Sequence, residues 1–127
     1  MKELIPLETV EQQTVVQYLE LKGLKFSSIP NSTYSKSWKQ KFKNKAEGLR
    51  AGLPDLVVIL PNLLLFIEMK RRKRGVVSQV QKEWIEALNN INVGVKAIVC
   101  LGSDDAIDKI ETLLKNLKLI KPYKTKL

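Results

Sequence analysis

The chain has 127 residues, 44% hydrophobic and 28% charged, which suits one globular domain with a buried core. It holds no histidine and one cysteine, which excludes histidine general-base catalysis, His-ligated zinc and a disulfide framework, and leaves any metal to oxygen ligands. Twenty-two Lys and Arg against 13 Asp and Glu give a net charge of +9, which points to a polyanionic partner, most simply nucleic acid, with a charged solubilising surface as the bland alternative.

No apolar run approaches the roughly 18 residues of a membrane span. The segment MKELIPLETVEQQ carries acids where a signal peptide needs an apolar core. The expectation is a cytoplasmic, DNA-associated protein without a membrane partner, one domain over residues 1–127.

Residues 7–22, LETVEQQTVVQYLELK, predict an amphipathic helix with Val15, Val16 and Leu19 inward and Gly23 as its stop. Glu8 and Gln12 extend that stripe, and Glu11 lies on a neighbouring flank; an acid at a helix start also complements the helix dipole. Leu24 to Ile29 predicts a short strand ending at Pro30. Residues 31–50 form a basic arm with Tyr34, Trp38 and Phe42 four apart, so part of it is allowed to be helical. Lys36, Lys39, Lys41 and Lys43 suit phosphate contacts and the aromatics suit stacking; the alternative is a solvated loop with an anchoring aromatic ridge.

Gly52-Leu53-Pro54 is a turn that leads into PDLVVILPNLLLFIEMK, two apolar runs around Pro61-Asn62, a β-hairpin pattern. With those two residues as the loop, Leu60 faces Leu63, Ile59 faces Leu64 and, continued outward, Asp55 faces Glu68. Lys70 shares the Glu68 face. Pro-Asn suits a type I or II turn better than the usual hairpin turns, and a bulge would shift the register by one and separate the carboxylates.

After Lys70, Arg71, Arg72 and Lys73 open a positive patch that closes on Gly75. Ser78 is the expected N-cap of a helix over 78–92 with Val80, Trp84, Ile85 and Leu88 on its apolar side. Val95 to Leu101 predicts a strand in which Cys100 is buried and inert. A last helix starts at Ser103 or Asp104, with Ile107, Ile110, Leu113, Leu114 and Leu117 inward, and residues 119–127 form a basic tail. The order α-β-β-β-α-β-α implies an α/β fold, a mixed central sheet flanked by helices.

Glu68 follows five apolar residues, and burying an ionised carboxylate is costly unless it is paired or binds metal. A salt bridge to Lys70, Arg71 or Arg72 is one outcome. The other is a site in which Asp55, Glu68, a backbone carbonyl and water hold Mg²⁺ or Mn²⁺. Such an ion acidifies bound water and neutralises charge on a phosphodiester, and Lys70 would orient or deprotonate the attacking water.

The segment GLPDLVVILPNLLLFIEMKRRKRGVVSQVQKEWIEAL resembles the core of the VRR-NUC family of the PD-(D/E)XK nuclease superfamily. The resemblance extends to ETVEQQTVVQYLELKG, to the IPN stretch ending at Asn31, to GLRAGLPDL with Arg50, and to the strand and helix around GSDDAIDKI. It implies a restriction-endonuclease-like core. Asp55, Glu68 and the Met69 carbonyl would be metal ligands, Lys70 the catalytic lysine and Gln81 the family's motif glutamine. Glu8 would be the acid of the first helix, with Glu11 as the alternate. Gln79-Val80 departs from the Pro-Glu of many members, which touches the helix start rather than the chemistry. The resemblance further implies a Mg²⁺- or Mn²⁺-dependent DNA endonuclease, structure-specific for branched DNA such as four-way junctions or flaps, and a homodimer. Asn31, Lys36, Lys39, Lys41, Lys43, Arg50, Arg71, Arg72 and Lys73 are the expected nucleic-acid contacts. The alternatives are a non-catalytic basic binding module and an RNase of the same architecture.

Overall fold

A computed structural model describes residues 4–30 and 37–118, in the order α1 (Glu8–Leu21), β1 (Lys25–Ser28), α2 (Trp38–Ala46), β2 (Leu56–Leu60), β3 (Leu63–Lys70), α3 (Gln79–Asn89), β4 (Val95–Leu101) and α4 (Ser103–Lys118). The expected elements are all present, and α2 adds a helix inside the basic arm, where Ser37 caps it by accepting from the Gln40 amide at 3.3 Å.

Helix α1 stops at Gly23, whose φ of +67° lets the chain turn left-handed. The Leu24 amide then reaches the Leu19 carbonyl at 3.1 Å and the Gly23 amide reaches Glu20 at 3.0 Å, a Schellman ending that returns the chain toward the sheet.

The hairpin takes the register that a two-residue loop dictates: Leu60 pairs with Leu63, Ile59 with Leu64 and Leu56 with Ile67. Asn62 adopts a φ of 58°, the positive φ that a type II turn requires at its third residue, so Pro61-Asn62 closes the hairpin without a bulge.

The sheet runs β1-β2-β3-β4, antiparallel across the first three strands and parallel between β3 and β4, with α3 in the crossover. Alternation along β3 sends Leu65, Ile67 and Met69 to one face. There they join a buried core with Val15 and Leu19 of α1 and Ala106 and Ile110 of α4. Cys100 lies in this core, fully buried, and burial pushes its thiol pKa up to about 12. Glu68 and Lys70 belong to the opposite face, toward α3. That helix buries no residue fully; Trp84, Ile85 and Leu88 are half-covered and Val80 remains exposed.

The outer edge of β4 is closed by side chains. The Asn89 amide bonds both the N–H and the carbonyl of Ala97, at 2.8 and 3.0 Å. Lys109 donates to the Val99 carbonyl at 2.8 Å, and Asp105 accepts from the Leu101 amide at 2.8 Å. No described helix is long and apolar enough to cross a membrane.

Candidate active site

Asp55 stands one residue before β2, where the β1–β2 ladder closes through the Ile29 amide on the Asp55 carbonyl at 2.7 Å. Its carboxylate turns across the hairpin and accepts from the Met69 amide at 2.7 Å. The hairpin register carries the pairing outward to Glu68. Glu8, in the first turn of α1, completes the group: Glu8, Asp55 and Glu68 each offer a carboxylate oxygen, and these oxygens lie within 4.8 Å of one another. In an extended strand a residue's N–H and C=O point the same way, so the Met69 carbonyl is directed toward the β2 side, as its amide is.

Glu68 is the most constrained member, only 1% exposed. Its Oε1 accepts from Gln81 Nε2 at 2.9 Å and lies 3.4 Å from Lys70 Nζ, so the salt bridge that the residues alone allow is present. Both partners use the same oxygen. Oε2 is buried with no hydrogen-bond partner among the described residues. Burial, reinforced by the nearby charge of Asp55 and opposed by Lys70, pushes the Glu68 pKa up to about 7. Burial also raises Asp55, and burial followed by the charge of Asp55 raises Glu8. Three carboxylates share one buried ammonium, so the group carries more negative charge than its surroundings neutralise.

That donor set fits a hard divalent cation. It is all oxygen and excess negative, and it contains an acceptor with no partner among the described residues.

Gln81 is oriented by the helix that carries it. Ser78 caps α3 by accepting from the Gln81 amide at 3.2 Å, and Gln81 Oε1 accepts from the Ser78 amide at 2.9 Å, a reciprocal capping box. With the amide oxygen occupied, the NH₂ end is left to face Glu68. Gly52 lets this helix approach: a Cβ there would sit 2.3 Å from Val80 Cγ1, and the Trp84 indole donates to the Ala51 carbonyl at 3.0 Å.

The structure separates the two acids of α1. Glu8 joins Asp55 and Glu68, whereas Glu11, the alternate, is buried elsewhere. Its carboxylate pairs with Arg72 Nε at 2.8 Å and accepts from the Ser103 amide at the start of α4. Gly102, with φ +88°, makes room, since a Cβ there would meet Arg72 Cγ at 2.6 Å. Although burial opposes ionisation, the bonds from Arg72 and Ser103 hold the Glu11 pKa below the usual carboxylate range.

Two of the expected nucleic-acid contacts also hold the fold together. Arg72 is committed to Glu11 and to Asp104, the latter at 3.2 Å. Arg71 donates to the Ile5 carbonyl at 2.9 Å and to Pro6 at 3.4 Å. Consecutive arginines after β3 thus fasten the chain on either side of Glu8. Composition shows them only as positive charge; the acid at Glu11 is the one signal of a partner. Lys39, Lys41 and Lys43 lie exposed on α2, Lys73 is exposed, and Arg50 donates to the Lys45 and Leu49 carbonyls. Asn31 and Lys36 lie outside the described residues.

No curated protein matches this chain. A solved structure described as a VRR_NUC domain protein aligns with a TM-score of 0.71 and 26% identity, over 91% of this chain and 92% of its own. A second, described as a VRR_NUC domain, aligns with a TM-score of 0.58 and 23% identity over 82% and 94%, a likeness of fold alone. Residues 3–104 match the VRR-NUC domain, and the chain therefore belongs to that nuclease-type family.

Proposed function

We propose that this protein is a divalent-metal-dependent DNA endonuclease, one nuclease domain over residues 1–127, acting as a homodimer on branched DNA such as four-way junctions or flaps. The observation that carries the reading is the unpartnered, buried Oε2 of Glu68 within a group of three carboxylates. Asp55, Glu68, Glu8 and the Met69 carbonyl would hold Mg²⁺ or Mn²⁺. Bound there, the ion supplies an acidified water and neutralises charge on the phosphodiester. Lys70 Nζ lies 3.4 Å from Glu68 on a buried side chain; as an amine it would deprotonate the attacking water, and as an ammonium it would orient that water and stabilise the extra negative charge of the transition state. Gln81 holds the Glu68 carboxylate in one orientation. The net charge of +9 and the lysines of α2 support a polyanionic substrate.

The purified protein, incubated with linear, flap and four-way DNA and with RNA of matched sequence, with Mg²⁺ or Mn²⁺ and with EDTA, tests this. Cleavage of branched DNA that stops in EDTA is the expected result. Cleavage undiminished by EDTA, or none on any substrate, would remove the reading, and preferential cutting of RNA would replace DNA as the substrate. Sedimentation of the same preparation reports whether the acting form is a dimer.

A further inference from the structure

The arm between β1 and β2 springs from the site itself. It leaves the sheet after Ile29 and returns at Asp55, and these two residues are bonded to each other at 2.7 Å beside the Asp55 carboxylate. Its helix, α2, buries no residue. Trp38 is 87% exposed and Phe42 78% exposed, and their i, i+4 spacing puts both rings on one side of the helix. A nine-residue helix is marginal by itself, and two large rings left in water do nothing for its stability. Lys39, Lys41, Lys43 and Lys45 surround them with no acid in the helix.

We propose that α2 is a base-stacking element: Trp38 and Phe42 take unpaired bases of a nucleic-acid strand while the α2 lysines hold its phosphates. The substrate class is thereby narrowed to DNA with unpaired nucleotides beside the cut. This rests on the reading of the carboxylate site as a nuclease only for the position of the cut; stacking itself needs no metal. Charge decides the occupant. A second copy seated on this face by two-fold symmetry would set one lysine-rich helix against another, whereas a strand supplies both π-faces and negative charge.

The test is binding of labelled oligonucleotides in EDTA, a single strand against the fully paired duplex of the same sequence, by wild type and by the Trp38→Leu/Phe42→Leu double variant. Both positions are exposed, so the fold is retained. The expected result is a loss of about 5- to 150-fold per stacked base on the single strand, with duplex affinity unchanged. Replacing Lys39, Lys41, Lys43 and Lys45 together by Gln is expected to weaken both forms and to flatten the salt dependence. Unchanged affinities, or equal losses on both forms in the aromatic variant, would overturn the proposal. A variant that dissociates a dimer without changing the single-strand preference would also overturn it and assign the rings to a second copy. With Mg²⁺ added, strand-selective binding without cutting would support stacking and count against the nuclease; cutting with no such selectivity would do the reverse.

Discussion

Glu8 and Glu11 sit three residues apart on α1, and folding takes them into opposite surroundings. Glu11 is buried against Arg72 and the first amide of α4, and its pKa falls. Glu8 meets Asp55 and Glu68 with Lys70 as their common cation, and its pKa rises. A carboxylate with its charge met inside the protein serves the fold. A group left with surplus charge and an unpartnered oxygen is built for something the polypeptide does not supply.

The largest effects should separate the two regions outright. Asp55→Ala and Glu68→Ala are expected to bring cleavage to background and Lys70→Ala to lower it by about 10²–10⁴-fold, with DNA affinity in EDTA retained. Glu11→Ala falling to background as well, in a protein that still melts like wild type, would break the comparison.

A smaller effect is a pH dependence of opposite sign at the two places. A carboxyl with a raised pKa in the fold, like Glu68, favours the folded state when protonated. That contribution is full below the ordinary carboxylate range and is lost as pH rises through about 7. The metal-free protein is expected to lose at most about 3 kcal/mol between pH 5 and 8, read from denaturant melts. Glu68→Gln should flatten that slope, and Mg²⁺ should reverse it; a slope indifferent to both would place the titration elsewhere.

Below this comes Gln81→Ala, which frees the Glu68 carboxylate to rotate. A 10- to 100-fold weaker Mn²⁺ affinity by calorimetry is expected. Unaltered affinity would leave Gln81 a helix cap and nothing more.

The smallest effect belongs to Glu11→Gln, which keeps an acceptor but removes the charge beside Arg72 and the α4 terminus. A drop of about a few degrees in Tm is expected at pH 7. Because the Glu11 pKa is lowered, its contribution is present above the usual carboxylate range and lost as pH falls through the lowered value, so variant and wild type should converge in acid.

The hairpin was legible because two apolar runs and a two-residue loop leave one register, and Asp55 opposite Glu68 follows by counting. Ser78 as a cap and the inward faces of α1 and α4 follow from periodicity in the same way. The choice between Glu8 and Glu11 was not legible from residues alone. It depends on Arg72 and Ser103, which are 61 and 92 positions away from Glu11 and reach it only through the packed sheet. The partners of Arg71 and Arg72 within the fold were hidden for the same reason, since composition reports a charge and not what it is paired with. The α2 helix was half visible in the spacing of its rings; that it buries no residue is a property of the fold.

The sealed flank of β4 has a consequence for how copies of this chain could join. With Asn89, Asp105 and Lys109 occupying its outward backbone groups, no strand can be added there without first displacing them. Growth of the sheet is left to Lys25–Ser28 on the far side. Two molecules meeting through that short edge would present only closed flanks to a third, so the architecture that shelters the carboxylates also sets an upper limit on sheet-to-sheet polymerisation.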